Sequence, residues 1–441
     1  MHDMNLTRAI VTTEKPVILF LQGPPTGFWH RLADAFAARG CDVLRVNLCM
    51  ADALFWRQKG AFNYRGTLAD WPAWLRAFIR EHGVTDILYY ADQLPYHRKA
   101  RELAEAANVR PWAMEFGYLR PDWLTLEAGG MGIESSWPRD PATLRELAKD
   151  APSPDMTTQY PMGFAEEALG EVGFNLAMVF GRPFFPHYVH DKYQHPVADY
   201  LFWYLEGART LFRRGRMRRI MERATAKDGA AYHLVAMQLQ SDYQVRASTT
   251  YDHLEQMLDE ITASFAANAP ADDRLIIKLH PLDNGSENWP RRIAALVKRY
   301  GLSGRVDVLK GGDLAALLNH AKGVVLANST VGLHALQAGI PVKTLGAAVY
   351  DVPGLTHQGP LDTFWATAEP VDPVLCDELV RALAKHIQIK GSFYNAAGQA
   401  AAIGEVVDRL ISTHAGATPV TPQPTEPGAA PALASILPGV A

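Results

Sequence analysis

Tyr232-His233-Leu234-Val235-Ala236-Met237-Gln238-Leu239-Gln240-Ser241-Asp242-Tyr243-Gln244 is an apolar run that passes into an alternation of polar side chains. Kept extended, such a segment puts residues two apart on one face, so Gln238, Gln240, Asp242 and Gln244 project together. A buried strand with polar groups along one side needs partners for them, because each unsatisfied group costs about 1–3 kcal/mol. The row is therefore expected to face a polar ligand or a dense hydrogen-bond network. Asp242, its one carboxylate, is the first catalytic candidate. An edge strand with a solvated face is the structural alternative.

Downstream, the pattern alternates between helix and strand. A helix is predicted over 251–268, then a strand Arg274-Leu275-Ile276-Ile277-Lys278-Leu279 ending in His280-Pro281. Lys278 and His280 are two apart and share a face at the carboxyl end of that strand. A helix over 289–300 and a strand over 305–309 follow, and then the strand 323–327 gives way through Asn328-Ser329-Thr330 to a helix closed by Gly339 and Pro341. Free backbone amides and hydroxyls at Ser329 and Thr330 suit an anion. An ordinary N-cap explains Ser329 alone. Together with Lys278 and His280 the turn reads as a phosphate-binding corner. The loop 352–365 is too polar and aromatic for a mere connector.

Upstream, Pro16-Val17-Ile18-Leu19-Phe20-Leu21 reads as a buried parallel strand broken by Gln22-Gly23-Pro24-Pro25, followed by a helix over 28–39 and a strand over 42–47. This is a β-loop-α-β unit of the doubly wound type, and its Gly-rich turn alone is weak evidence for a ligand. Strands over 86–90 and 110–116 follow. Ligands of open α/β sheets bind beyond the carboxyl ends of strands, so Asp92, Glu115 and Arg120 fall where chemistry is expected. A structural Glu115–Arg120 ion pair is the alternative.

The alternation stops between 135 and 228. The segment 197–223 carries Leu201, Phe202, Trp203, Leu205, Leu211, Phe212 and Met217 with Arg209, Arg213, Arg214, Arg216, Arg218 and Arg219. A basic amphipathic helix of this kind lies on anionic lipid, binds an acidic substrate, or simply presents a solvated face. His187, His190 and His195 lack a carboxylate or Cys partner at a metal-ligand spacing, so no metal is expected. The predicted domains are 1–134, 135–228 (helical insertion), 229–368, 369–413 (C-terminal helices) and a disordered Pro/Ala/Thr-rich tail, 414–441.

The totals agree with this division. A chain of 441 residues, 48% hydrophobic and 20% charged, exceeds one ordinary core. The net charge of -4 argues against nucleic acid as the main partner. Cys41, Cys49 and Cys376 form neither a metal nor a disulfide framework, which suits a reducing cytosol. The N-terminal 16 residues hold no signal-length apolar core, and no stretch reaches the roughly 20 apolar residues of a spanning helix. A cytoplasmic protein is expected, at most peripheral on the inner membrane.

Taken together, Leu21-Gln22-Gly23-Pro24, Glu115-Phe116-Gly117-Tyr118-Leu119-Arg120-Pro121, Gln238 to Gln244, Lys278-Leu279-His280-Pro281, Asn328-Ser329-Thr330-Val331-Gly332 and Gly354-Leu355-Thr356 with Phe364-Trp365 resemble the bacterial capsule polysaccharide biosynthesis/export family over roughly residues 16–410. The resemblance implies two Rossmann-like domains in a GT-B-like arrangement. It also implies a β-Kdo transferase of the single-module type, which takes Kdo from CMP-Kdo and adds it to a lysophosphatidylglycerol acceptor. Phe116 departs from the pattern, in which a second acidic residue is frequent, and this concentrates the acid/base role on Glu115. No cofactor is implied, and the chain holds no Asp-x-Asp triplet, which fits metal-free transfer. Lys278, His280, Asn328, Ser329 and Thr330 would hold the CMP phosphate. Donor and product are both β-linked, so configuration is retained, with Asp242 as nucleophile, Glu115 as general base and Arg120 on the Kdo carboxylate. A weaker alternative makes Asp242 the base. Gln22, Gly23, Gln238, Gln240 and Gln244 are the remaining sugar or acceptor candidates. Another CMP-sugar transferase acting on a saccharide, or a non-catalytic export component, are the rival readings.

Overall fold

In the computed structural model the described residues are 15–414, without 57, 162, 191–195 and 227–228. His195, the first 14 residues and the tail beyond 414 lie outside them, and with them the predictions made for those segments.

The apolar runs form two sheets. The first has the order β12-β6-β5-β4-β1-β2-β3. Its parallel part comprises β1 (Val17–Phe20), β2 (Asp42–Asn47), β3 (Ala61–Asn63), β4 (Asp86–Tyr90) and β5 (Arg110–Phe116). Two antiparallel pairings extend it, β6 (Trp123–Ala128) on β5 and β12 (Gln388–Lys390) on β6. The second sheet is wholly parallel, in the order β11-β10-β7-β8-β9. Its strands are β7 (Tyr232–Ala236), β8 (Arg274–Leu279), β9 (Val306–Lys310), β10 (Ala321–Leu326) and β11 (Val342–Thr344). β7 lies centrally and all five of its residues are buried, as expected of a parallel strand covered on both faces. The expected α/β class with parallel sheets is borne out.

The opening stretch does not stay extended. β7 ends at Ala236, the amide of Met237 makes a last bond to the Lys278 carbonyl, and residues 237–242 turn. Asp242 then caps the short helix Tyr243–Ser248, its carboxylate accepting from the Gln244 amide at 2.9 Å. Once the neighbouring strands have run out no ladder remains to hold the segment flat, and aspartate is a strong N-cap. The four polar side chains therefore do not share a face.

The region 135–228 is helical, with Pro141–Ala148, Phe164–Phe180 and Pro196–Ala224. Much of the charge on the last helix is neutralised by its contacts. Buried Glu206 takes Arg213 at 3.1 Å and Lys310 of β9 at 3.0 Å, and Arg223 reaches both oxygens of Asp307 at 2.8 Å.

The C-terminal segment is divided between the lobes. The helix Pro373–His386 buries Leu375, Leu379, Val380 and Leu383 in the core under β7 and β10. The chain then crosses back, adds β12 to the first sheet, and packs the helix Ala396–His414 on Phe28–Ala38. The expected unit 369–413 is thus not one body, because each helix has its own apolar face and follows the sheet that covers it. The loop 352–365 is likewise more structural than its composition implied, with Phe364 and Trp365 fully buried and the Trp365 indole donating to Ser264 Oγ at 2.8 Å.

Phe393 seats the returning segment. It is fully buried and meets Phe28, Tyr90 and Phe116 edge-on at ring-centroid distances of 5.1, 5.4 and 5.5 Å. Phe393→Ala is expected to cost about 3–5 kcal/mol in urea unfolding; a loss below about 1 kcal/mol would show that β12 docks without it.

Candidate functional site

The carboxyl ends of the parallel strands of both sheets supply the polar groups. From the first lobe come Asp92 after β4, Glu115 next to the end of β5, and Arg120 in the bend between β5 and β6. From the second come Asp242, Tyr243 and Gln244 after β7, Lys278 and His280 at the end of β8, and Asn328, Ser329 and Thr330 after β10.

Hydrogen bonds join the two sets. The Gln244 side-chain amide donates to Asp92 Oδ1 at 2.9 Å and to Glu115 Oε2 at 3.3 Å. The Tyr243 hydroxyl also bonds Glu115. On the other flank the Gln238 amide donates to Asn328 Oδ1 at 2.9 Å, its carbonyl accepts from the Asn328 backbone at 3.3 Å, and it bonds the Asp242 carboxyl. Asp242 thus stands between Glu115 and the turn after β10.

The electrostatics follow from burial and like charge. Burial, then the charge of Asp242, pushes the Glu115 carboxyl up to about 8. Burial also raises Asp242 and Asp92. The same strand ends carry cations. Burial alone pulls the Lys278 ammonium below its ordinary range. His280 drops to about 4 through burial and the charges of Lys278 and Arg120, so it is neutral at pH 7. Its Nδ1 accepts from the Leu282 amide at 3.1 Å, which leaves Nε2 as the N–H donor. Arg120 lies over the Phe116 ring, 5.1 Å from its centroid, and its field reaches Glu115, Asp242, His280 and His334. Buried carboxyl groups and cations gathered at the strand ends suit a negatively charged ligand.

The turn after β10 is held from outside. The Tyr350 hydroxyl donates to the Ser329 carbonyl, and its ring occupies the space a Cβ on Gly332 would need. The helix behind it, Val331–Gln337, is short, Thr330 already has helical dihedrals, and Ser329 Oγ accepts from the Val331 amide at 3.3 Å. The phosphate corner expected at this helix end thus has a seven-residue helix and a Ser329 hydroxyl already engaged with its backbone.

Three expected ligand residues have other work. Gln22 is buried, taking the Tyr188 hydroxyl at 3.1 Å and facing Cys49 Sγ at 3.5 Å. Gly23 is the place where the Trp29 indole passes, since a Cβ there would lie 2.5 Å from it. Gln240, 6% exposed, accepts from the Leu254 amide at 2.8 Å and so serves the start of the helix Leu254–Asn268. Sequence reasoning missed Tyr243 and His334. Tyr243 is adjacent to Asp242, and His334 is one helical turn beyond Thr330, a spacing that would have flagged it.

With this geometry established, comparison with known proteins defines the class. The capsule polysaccharide biosynthesis protein family matches residues 85–394, and the chain belongs to that family. It is 32% identical over 380 residues to the capsule polysaccharide export protein KpsS of Escherichia coli, covering 85% of this chain and 96% of that one. It is 31% identical over 396 residues to the capsule polysaccharide modification protein LipB of Neisseria meningitidis, covering 89% and 94%. Among solved structures, the β-Kdo 2,7 transferase of Thermosulfurimonas dismutans KpsC is similar at a TM-score of 0.41 and 15% identity, over 88% of this chain and 98% of that one.

Two outcomes check the site. Gln240→Ala is expected to lower stability by about 1–3 kcal/mol, read by urea unfolding, and to leave substrate KM unchanged; a raised KM with intact stability would return Gln240 to the ligand. Asp242→Asn is expected to lower the Glu115 titration from about 8, followed by the infrared band of its protonated carboxyl. An unmoved band would mean that the two carboxylates do not sense each other.

Proposed function

We propose that the protein is a retaining, metal-independent glycosyltransferase that moves Kdo from CMP-Kdo to a lysophosphatidylglycerol-type acceptor in capsule assembly. The observation that carries this reading is the pairing of Asp242 and Glu115, from opposite lobes, within the field of Arg120. The donor itself follows from the motif resemblance, and family membership supports the setting.

The chemistry proceeds in two displacements. An Asp242 oxygen attacks the anomeric carbon, the bond from that carbon to the phosphate oxygen breaks, and CMP leaves with the electron pair. Lys278, His280 through its N–H, and the hydroxyls of Ser329 and Thr330 take up the phosphate charge, while Arg120 holds the Kdo carboxylate. The glycosyl ester leaves Asp242 uncharged. Glu115, raised first by burial and then by the charge of Asp242, loses that second contribution, more readily gives up its proton to water and becomes the base the second step needs. It takes the proton of the acceptor hydroxyl as that oxygen attacks, and the ester bond breaks to restore Asp242.

On the acceptor side we place the helical region 135–228. Leu169, Leu176 and Phe180 are exposed and separated by seven and four residues, so they form one stripe on Phe164–Phe180. Phe184 is exposed just beyond it, and Arg214, Arg216, Arg218 and Arg219 are exposed on Pro196–Ala224. This combination supports peripheral contact with an anionic lipid surface at the cytoplasmic face of the inner membrane. Among the described residues no helix is long and apolar enough to cross a membrane.

Incubation with CMP-Kdo and a lysophosphatidylglycerol analogue, followed by mass spectrometry of product and protein, tests the reading. A Kdo-lipid product is expected, together with a Kdo adduct on the peptide that holds Asp242, and Asp242→Asn is expected to lower turnover at least on the order of 10³-fold. Transfer undiminished in Asp242→Asn would refute it. Turnover from a different CMP-sugar only would move the donor, and binding without turnover would favour a non-catalytic export component.

A further inference from the structure

Gln244 entered the sequence reading as a sugar contact, but its amide is already engaged between the lobes. Its Nε2 donates to two carboxylates, Asp92 Oδ1 at 2.9 Å and Glu115 Oε2 at 3.3 Å. The same end of the amide, its nitrogen, makes both contacts. The other end, Oε1, is buried and has no hydrogen-bond partner among the described residues. It rests where a Cβ on Gly132 would come within 2.6 Å, and Gly132 has φ 61, which a side chain disfavours. Asp92 is in turn fixed by the Met131 amide at 2.9 Å, in the same bend as Gly132. The amide is thus clamped by the first lobe on both sides, while its backbone N–H binds Asp242 at 2.9 Å. One residue therefore touches all three carboxylates of the cleft.

We propose that Gln244 is a positioning residue: it holds the Glu115 carboxyl against Asp92 and facing Asp242, and so sets both the orientation and the proton affinity of the group that accepts the acceptor's proton. The inference rests on the proposed transferase reading for its catalytic meaning, and its geometry stands apart from it. Two opposed influences meet at Glu115. The Gln244 N–H favours the ionised carboxyl, and the nearby charge of Asp92 disfavours it. The other groups facing Glu115 are Tyr90 on β4, Arg120 after β5, and Asp242 and Tyr243 after β7, with Glu167 and Glu171 of the helix Phe164–Phe180 facing Arg120 and Tyr90. None of these is altered by changing Gln244 to Leu or Asp92 to Asn.

The test compares Gln244→Leu and Asp92→Asn with the unaltered protein, both first checked for an unchanged thermal midpoint. Infrared titration of the protonated Glu115 carboxyl, identified by its absence in Glu115→Gln, needs no substrate. The unaltered protein is expected to titrate at about 8. Removing the Gln244 donor is expected to move the midpoint up, and removing the Asp92 charge to move it down. In the transfer assay, Gln244→Leu is expected to lower kcat about tenfold or more with CMP affinity unchanged. Midpoints that do not move, or that move in the same direction, would overturn the proposal. So would weakened CMP or acceptor binding by Gln244→Leu with the Glu115 titration intact, since Gln244 would then be a ligand contact. Absence of Kdo transfer by the unaltered protein would count against the transferase reading only, because the infrared shifts are read without substrate.

Discussion

Two carboxyl groups that reach the same cleft from separate sheets, Glu115 and Asp242, cannot both stay ionised at low energetic cost. The arrangement around them follows from that repulsion. Tyr243 and Gln244 donate to Glu115, and the amides at the start of the helix Tyr243–Ser248 together with Gln238 donate to Asp242. Each carboxyl is thereby held in place by neutral donors. Arg120, stacked on Phe116, lies close enough to act on both groups and far enough into the cleft to act on the histidines of the second lobe. A residue so shared is well suited to be the one whose allegiance changes when an anionic ligand enters.

The sheets were largely legible in the sequence, and the reason is physical. Parallel strands buried on both faces are continuous apolar runs, so β1, β4, β7, β8 and β10 stand out as apolar segments between polar breaks. β3, β11 and β12 are three residues long and lie at sheet edges, where no such run forms. β6 was hidden inside a motif read for chemistry, although Trp123-Leu124-Thr125-Leu126 is a good strand sequence.

The site was legible by position more than by role. Glu115, Asp242, Lys278 and His280 lie at the ends of strands, and the topology of parallel sheets brings such ends together. What the sequence could not distinguish is a polar side chain aimed at a ligand from one aimed at a backbone amide. Gln22, Gln240 and Gln244 look alike in the primary structure, yet one is packed beneath a tyrosine, one serves a helix start and one spans the cleft. Those fates depend on where the chain turns after Ala236 and on how the Gly132 bend approaches, both of which are tertiary facts. The basic helix illustrates the same limit in charge, since Arg213 and Arg223 are spent on Glu206 and Asp307 while Arg214, Arg216, Arg218 and Arg219 stay exposed.

The return of the chain at β12 has a mechanical consequence. The lobes are joined covalently twice, once on the way out through the helical region and once on the way back near Ile387. A body attached at two points swings like a door, about the line through its hinges, and its other rotations are stiffer. Any relative motion of the two lobes is then channelled into a single swing, so the strand ends of the two sheets return to the same register each time it closes.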